Sequence, residues 1–240
     1  MDDRVSYLVD KAWDRFQQMP EDRRLMIAIG GIPGSGKTTL SRIVTQALNA
    51  RHESLHPGTP KAVPVAAFVP MDGYHLTRAQ LSAMPDPVTA HARRGAEFTF
   101  DGLSFLSLVK ALREPLGPSS ATIFAPSFDH AVKDPKDNDI VVRPGHRIVV
   151  LEGNYVVLDK EPWREAAGFM DERWFVDVDF ETARRRLVTR HMRAGLARDE
   201  EEARKRADEN DLVNGKQIVD NRVHVHEVVF SCDDKSWRRE

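Results

Sequence analysis

The sequence predicts an α/β fold in which a mainly parallel sheet lies between two layers of helices. Short apolar runs typical of buried strands alternate along the chain with segments of helical periodicity. The first of these strands ends in two glycines and is followed directly by an amphipathic helix. The alternation continues from about residue 25 to residue 230 with no internal repeat and no low-complexity linker. We therefore expect a single domain over residues 1–240.

Composition restricts the class of protein. The chain has 240 residues, a formal net charge of -2 and 41% hydrophobic residues. This near-neutral charge gives no sign of duplex nucleic-acid binding, and no apolar stretch is long enough to span a membrane. The N-terminus is charged with no apolar signal segment after it, and the single cysteine, Cys232, cannot form an intramolecular disulfide. We expect a cytoplasmic protein that has neither a nucleic-acid nor a membrane partner.

Two helices and two strands are predicted in the N-terminal third of the chain. Residues 5–18 carry apolar side chains at helical spacing, and Pro20 closes this N-terminal helical segment, residues 1–20. Residues 25–29 suit a buried parallel strand, and residues 38–50 suit a helix that packs on it. A second strand covers residues 65–69, after a polar loop.

The rest of the chain continues the alternation. A helix capped by Asp101 is predicted up to residue 112, and a strand is possible at residues 121–125. Residues 127–144 are polar and are expected to form loops. The remaining predicted elements are strands at residues 147–151, 173–178 and 223–230, and helices at residues 163–170, 181–194 and 199–212.

Residues 31–38 match the phosphate-binding loop pattern G-x-x-x-x-G-K-[ST]. Glycines let the backbone approach phosphate groups, and the following helix directs its positive end toward them. Lys37 can reach the β- and γ-phosphates of ATP, and the Thr38 hydroxyl can bind Mg²⁺. The strand before the loop and the helix after it argue against a chance glycine-rich turn. The residues expected to contact ATP are Gly31, Ile32, Pro33, Gly34, Ser35, Gly36, Lys37, Thr38 and Thr39.

Two carboxylates follow predicted strands. Asp72 comes after the strand at residues 65–69, and Glu152 comes after the strand at residues 147–151. In an open parallel sheet, ligands bind outside the carboxyl ends of the strands, so both side chains would face the phosphate loop. Asp72 suits a base that accepts a hydroxyl proton, and Glu152 suits a ligand of Mg²⁺. The alternative is that Asp72 belongs to a simple turn and Glu152 to a solvated strand end.

Four features occur in an order found in one group of kinases: the phosphate loop, the run Met-Asp-Gly-Tyr-His at residues 71–75, the strand at residues 149–153 and a later arginine-rich helix. In this set the chain resembles the uridine kinase, phosphoribulokinase and pantothenate kinase group, over about residues 25–230. The resemblance implies a three-layer P-loop fold with a helical lid. It also implies Asp72 as catalytic base, with Thr38 and Glu152 at the magnesium ion.

The resemblance also implies where the acceptor binds. Residues 127–130 would lie near it, with His130 matching a substrate-contacting histidine of uridine kinases. The aromatic pattern before His130 is only partly that of uridine kinases, and the run at residues 71–74 is closer to pantothenate kinases. The identity of the acceptor therefore stays open. The expected substrate contacts are Asp72, Tyr74, His75, Asp101 and His130.

An arginine-rich helix is predicted near the C-terminal end of the fold. Arg186, Arg190 and Arg193 share one face at helical spacing. Guanidinium groups can stabilise the charge on a transferring phosphoryl group, so we expect Arg186 and Arg190 to act in catalysis, from a lid region at about residues 184–214. Arg184 and Arg185 are expected to face solvent or the sheet. The alternative is a solvated basic face that pairs with the acidic run at residues 199–202.

Three smaller polar clusters have two interpretations each. His91, Arg93 and Arg94 suit an anionic acceptor, or they form a hydrated loop. The asparagines and aspartate at residues 210, 211 and 214 either reach the adenine side or cap a helix. His224 and His226 share a strand face, but no third ligand accompanies them, so a metal site is not favoured.

The sequence thus predicts an ATP- and Mg²⁺-dependent kinase that phosphorylates a hydroxyl group of a small molecule. A nucleoside, as in uridine kinases, is the first candidate acceptor, and a sugar or a pantothenate-like alcohol are the others. A GTPase-type switch is a weaker alternative, because the chain lacks the Asn-Lys-x-Asp guanine signature. A catalytically inactive ATP-binding module is the third possibility. A monomer or a homodimer is expected.

Overall fold

The computed structural model describes residues 3–57, 63–129 and 131–231. His130 and Cys232 therefore lie outside the described residues. The strands are β1 (Leu25–Gly31), β2 (Ala66–Pro70), β3 (Ile123–Asp129), β4 (Asp134–Val142), β5 (Ile148–Gly153), β6 (Glu172–Asp177) and β7 (Glu227–Phe230). The α-helices are α1 (Asp3–Gln17), α2 (Lys37–Leu55), α3 (Arg78–Ser82), α4 (Pro87–Ala92), α5 (Gly102–Arg113), α6 (Trp163–Gly168), α7 (Phe180–Arg193), α8 (Glu200–Arg206) and α9 (Leu212–Asp220).

Five strands form one parallel sheet in the order β2-β5-β1-β6-β7. The two central strands, β1 and β5, are buried along their whole length, as their continuous apolar sequences predict. Pro70 of β2 and Ile29 of β1 both lie in register with Glu152 of β5. The carboxyl ends of these three strands therefore meet at one edge of the sheet.

Helices cover both faces of the sheet, which confirms the predicted three-layer α/β/α class. On one face, Leu25, Ile27 and Ile29 of β1 pack with apolar side chains of α1 and α2. On the other face, Met26 and Ala28 pack with side chains of α5, α6, α7 and α9. The alternation follows from the two-residue period of a strand, which sends successive side chains of β1 to opposite layers. Within the described ranges, no helix has both the length and the apolar character needed to cross a bilayer.

The prediction of a loop at residues 127–144 is wrong. Strands β3 and β4 form a separate antiparallel hairpin, with a register irregularity between Ala125 and Ser127. Much of β4 is exposed and polar, so its sequence lacks the apolar alternation that marks a half-buried strand.

Three other boundaries differ from the prediction. Helix α2 continues to Leu55, and the last strand begins at Glu227 rather than at residue 223. The helix predicted at residues 199–212 is interrupted by a π-helical turn, Ala207–Asp211, and then continues as α9. A π turn adds a residue to the helical repeat and often occurs at functional sites.

Candidate active site at the phosphate-binding loop

The predicted phosphate-binding loop lies between β1 and α2. Gly34 and Gly36 have φ angles of 81° and 90°, a region of backbone space that glycine occupies at little cost. Gly36 is the residue before α2, so the positive N-terminal end of this helix adjoins the loop. The loop also packs against α7, since a Cβ atom at Gly34 would lie 2.9 Å from the Ala183 carbonyl oxygen. The sequence prediction of the loop conformation agrees with this structure.

Lys37, Thr38 and Glu152 meet beside this loop. The Thr38 hydroxyl donates a hydrogen bond to Glu152 Oε1 over 3.1 Å, and Lys37 Nζ lies 4.0 Å from the same oxygen. Both charged side chains are largely buried, at 12% exposure for Lys37 and 6% for Glu152. Burial lowers the pKa of Lys37, and the charge of Glu152 opposes that shift. Burial likewise raises the pKa of Glu152, to about 7.

Asp72 follows β2 in a short 3-10 turn, Met71–Tyr74, at the same edge of the sheet. Its side chain is exposed, and its carboxylate makes no hydrogen bond or ion pair with any residue that the structure describes. The negative charge of Asp72 nevertheless influences the pKa of both Lys37 and Glu152, so the three groups share one electrostatic environment. This carboxylate has no structural task and lies where a ligand can reach it.

The hairpin holds the Asp72 turn in place. A Cβ atom at Gly73 would lie 2.0 Å from the Pro126 carbonyl oxygen, so only glycine allows β3 to approach this closely. Because the blocking atom belongs to the backbone, a larger residue cannot be accommodated by a side-chain rotation. The hairpin is therefore part of the support of the candidate base.

Replacement of Gly73 by Ala is expected to destabilise the protein by about 3 kcal/mol, the upper part of the range for overpacking. It should also displace Asp72 and lower turnover even in the fraction that stays folded. Urea unfolding and steady-state kinetics measure the two effects. Gly168→Ala is the matched control, because a Cβ atom there meets no neighbour within 4 Å. Wild-type stability of Gly73→Ala would show that β3 can move away and does not fix the turn.

The predicted acceptor contacts lie in different environments. The His75 ring lies 4.0 Å from the Phe100 ring and 4.9 Å from the Phe128 ring (centroid distances), and its Nδ1 lies 2.8 Å from the Asp72 carbonyl oxygen. The Tyr74 ring is buried in the core against Phe105, with ring centroids 5.3 Å apart. The residues 127–129 of the hairpin thus adjoin the Asp72 turn.

Asp101 serves as the N-cap of α5, as its sequence position predicts. Its two carboxylate oxygens accept hydrogen bonds from the backbone N–H of Ser104 over 2.9 Å and from the Ser104 hydroxyl over 2.6 Å. The predicted substrate roles of Asp101, Tyr74 and His75 stay predictions, and His130 is not described.

Two arginines of α7, Arg186 and Arg190, lie near the phosphate loop. Arg186 Nη1 donates to the carbonyl oxygen of Gly34 over 3.1 Å, so its guanidinium lies against the loop. The charge of Arg190 contributes to the lowered pKa of Lys37, which places Arg190 near the same site. Its side chain is 59% exposed. Arg186 therefore contacts the loop, whereas Arg190 lies near Lys37 and 3.9 Å from Asp211.

The other charges of this region pair differently from the prediction. Arg184 forms an ion pair with Asp208 at 2.6 Å and another with Glu181, so its side chain faces the π turn rather than solvent or the sheet. Two acidic residues of α8 pair with arginines outside α7: Glu200 with Arg204 and Glu202 with Arg198. These pairs do not support the alternative of a basic face neutralised by the acidic run.

Asp211 is a site residue whose role sequence reasoning missed. It ends the π turn, and its Oδ2 lies 2.9 Å from Nε2 of the buried His191. Its other oxygen lies 3.9 Å from Arg190, and its charge influences the pKa of Lys37. It does not cap α9 with its side chain. The polar spacing of residues 210, 211 and 214 was a signal, but it did not reveal which groups they contact.

The two C-terminal histidines both precede β7, so the prediction that they share a face of the last strand is wrong. His224 precedes β7, and the ring centroids of His224 and His226 lie 5.9 Å apart. His226 Nδ1 accepts a hydrogen bond from the Arg173 backbone N–H. No group of three metal-ligating side chains occurs in the described part of the chain.

Comparison with known proteins places the chain in a family. No family model matches the chain. The chain is 57% identical over 159 residues to the "ATP-dependent kinase-like protein notR'" of Aspergillus versicolor, a match that covers 66% of this chain and 92% of that protein. It is 38% identical over 215 residues to the "Putative uridine kinase C227.14" of Schizosaccharomyces pombe, with 89% of this chain and 86% of that protein covered.

The fold leads to the same group. The crystal structure of YFH7 from Saccharomyces cerevisiae superposes with a TM-score of 0.83 and 25% sequence identity, over 96% of this chain and 99% of that chain. Three findings indicate the same kinase family. They are the P-loop, the three-layer sandwich and two sequence relatives that are aligned over most of their own length. The chain belongs to the uridine kinase-like family of ATP-dependent P-loop kinases.

Proposed function

We propose that this kinase transfers the γ-phosphate of ATP to a hydroxyl group of a small metabolite, with Asp72 as the general base. One observation carries the proposal. Asp72, Lys37, Thr38 and Glu152 converge beside the phosphate loop at the carboxyl edge of the sheet, where ligands of parallel α/β folds bind. A nucleoside, a sugar or a pantothenate-like alcohol would supply the hydroxyl group. The site can serve a monomer or a homodimer, and the cytoplasm is the expected compartment.

The phosphate groups of ATP fit the loop between β1 and α2. The glycines of the loop let the backbone approach phosphate groups closely, and Lys37 supplies a positive charge in a buried position. An ammonium in low-dielectric surroundings interacts more strongly with phosphate than it would in water. Arg186 and Arg190 would add positive charge from α7 near the phosphate groups.

The residues around Thr38 and Glu152 fit a magnesium ion. Both side chains offer oxygen atoms, which Mg²⁺ prefers as ligands. The two oxygens are neighbours, since the hydrogen bond between them is 3.1 Å long. When bound, Mg²⁺ would neutralise charge on the phosphate oxygens. The raised pKa of Glu152 also fits, because burial makes this carboxylate costly to ionise even beside Lys37, and a bound cation would offset that cost.

Asp72 would activate the acceptor. Its exposed carboxylate can accept the proton of a hydroxyl group as the oxygen attacks the γ-phosphorus, and the bond to the β-phosphate oxygen then breaks to release ADP. Because Gly73 and Pro126 hold the turn, the carboxylate is positioned before the acceptor arrives.

The test is ADP production by purified protein with ATP and a panel of nucleosides, sugars, sugar acids and pantothenate. Acceptor-dependent ADP release with a phosphorylated product supports the proposal. Calorimetric preference for GTP over ATP would instead indicate a nucleotide switch. Tight ATP binding without transfer to any acceptor would indicate an inactive binding module.

Magnesium binding is expected to depend on pH through Glu152. Because the pKa of this carboxyl is raised to about 7, it is largely protonated just below neutrality and must lose its proton to bind the cation. We therefore expect Mg²⁺–ATP binding at about pH 6.5 to release a proton, and affinity to fall roughly tenfold for each further pH unit of acidification.

Calorimetry in two buffers of different ionisation enthalpy measures that proton. The Glu152→Gln variant is the control, since an amide has no proton to release. Proton release that persists in Glu152→Gln would show that another group titrates.

A further inference from the structure

Arg93 is a half-buried cation that has no acidic partner among the residues that the structure describes. Its Nε donates to Asn210 Oδ1 over 3.0 Å, and its Nη2 donates to Asn214 Oδ1 over 2.8 Å. Both acceptors are neutral amides, and both asparagines are buried. Nη1 makes no hydrogen bond with the described residues. Within the described part of the chain, this half-buried guanidinium therefore lacks a counter-charge.

The carboxylates near Arg93 are engaged elsewhere. Glu97 and Asp211 both influence the pKa of Tyr155, as Arg93 does, so these charges surround one tyrosine. Glu97 accepts hydrogen bonds from the Trp163 indole and from Lys160. Asp211 contacts His191 and Arg190. Neither carboxylate lies within ion-pair distance of Arg93.

The neighbouring arginine shows a different pattern. Arg94 Nη2 pairs with Asp134 over 3.0 Å and also donates to the Leu76 carbonyl oxygen, while its guanidinium lies over the Phe128 ring. Arg94 is therefore used to attach the hairpin. The buried Arg24 also lacks a carboxylate partner, but it binds the Leu112 carbonyl at the negative C-terminal end of α5.

Arg93 begins a segment that is connected to both parts of the candidate site. On one side, residues 93–101 run beside the segment that follows Asp72, with backbone hydrogen bonds from Leu76 N to the Thr99 oxygen and from Asp101 N to the Tyr74 oxygen. On the other side, Arg93 binds Asn214, whose neighbour Gly215 packs against Ile32 of the phosphate loop. Arg93 thus belongs to a segment that adjoins the Asp72 turn at one end and the phosphate loop, through Asn214, at the other.

We propose that Arg93 binds an acidic group of the phosphate acceptor, so that the substrate is an anionic alcohol, carrying a carboxylate or a phosphate besides its hydroxyl group. This inference rests on the proposed function and narrows it. A neutral nucleoside would leave Arg93 without a counter-charge, whereas a sugar acid, a sugar phosphate or a pantothenate-like acid would supply one. The free Nη1 edge of a planar guanidinium can accommodate a carboxylate or phosphate oxygen.

The first test measures anion binding directly, with the phosphate loop occupied by a non-hydrolysable ATP analogue and Mg²⁺. Inorganic phosphate and malonate are titrated separately into wild type and Arg93→Met by calorimetry. We expect wild type to bind at least one of them, and Arg93→Met to bind it at least about 30-fold more weakly, the usual effect of losing a hydrogen bond to a charged group. Binding of inorganic phosphate would indicate that the site takes a phosphate group, and binding of malonate would indicate a carboxylate. Wild type that binds neither anion overturns the inference.

The second test uses acceptors in matched pairs: glycerate and glycerol, gluconate and glucose, pantothenate and its alcohol, ribose 5-phosphate and ribose. An anionic member should be the better acceptor, and Arg93→Met should raise its KM while KM for ATP changes less than about threefold. Arg93→Lys should recover part of the loss. Arg164→Gln, which removes an exposed arginine paired with Asp159, is the matched control.

These tests distinguish a failure of the Arg93 anion site from a failure of the proposed kinase activity. Two results would overturn the role of Arg93 while transfer to a hydroxyl group stands. One is that neutral acceptors are phosphorylated as efficiently as anionic ones. The other is that Arg93→Met raises KM for the anionic acceptor and KM for ATP by the same factor. If an anion binds in a way that depends on Arg93 but no acceptor is phosphorylated, the anion site is supported and the kinase proposal is refuted. Thermal unfolding of Arg93→Met tests whether Arg93 has only a structural role through Asn210 and Asn214. Loss of these contacts alone would lower the melting temperature but would affect anionic and neutral acceptors equally.

Discussion

Replacing Asp72 with Asn is expected to lower kcat about a thousandfold, within the range that general base catalysis provides. Asparagine has nearly the same shape as aspartate but cannot take the proton of the acceptor hydroxyl. KM for ATP should change little, because Lys37 and the loop amides hold the phosphates. The measurement is steady-state ADP release with the acceptor that the panel identifies.

The structure allows this variant to be interpreted without a folding artefact. The carboxylate of Asp72 is exposed and makes no contact with the described residues that the fold requires, so the melting temperature of Asp72→Asn should equal that of the wild type. Asp137→Asn, an exposed carboxylate in the hairpin, is the control for a general charge effect. If Asp72→Asn keeps more than about a tenth of the wild-type turnover, Asp72 is not the base and another group must accept the proton.

The phosphate loop could be predicted from sequence because its demands are local. Positive φ angles at Gly34 and Gly36, a buried strand before them and a helix after them are all encoded within a short segment. The meeting of Asp72 with Glu152 could also be predicted, because both follow strands whose carboxyl ends share one edge in a parallel sheet.

The hairpin and the π turn could not be predicted by the same means. Strand β4 is exposed and polar, and its position depends on contacts with distant residues, such as those of Asp134 with Arg78 and Arg94. The roles of Asn210 and Asp211 depend on a π turn that alters the side-chain spacing of an ordinary helix. Helix α3 is a different case, because its Thr77–Gln80 capping box is a local signal from which the start of the helix could be predicted.

Replacing Lys37 with Met is expected to lower kcat/KM for ATP by at least about a thousandfold, since it removes the positive charge aimed at the phosphates. The protein should still fold. Methionine fills a similar volume, and the burial that lowers the pKa of Lys37 is a cost that the variant avoids. We expect the free energy of unfolding near pH 6 to stay within about 1.5 kcal/mol of the wild-type value, as measured by urea denaturation.

The stability of Lys37→Met should depend on pH more steeply than that of the wild type. The charge of Lys37 lowers the pKa of Glu152 and so opposes the effect of burial, and without it this pKa lies above about 7. The folded state then binds a proton more tightly than the unfolded state does, so stability is full at low pH and is lost as pH rises through the folded-state value. Unfolding at about pH 6 and pH 9 should show this loss in Lys37→Met but not in the double variant Lys37→Met, Glu152→Gln. An equal loss in both variants would show that Lys37 and Glu152 do not share one buried environment.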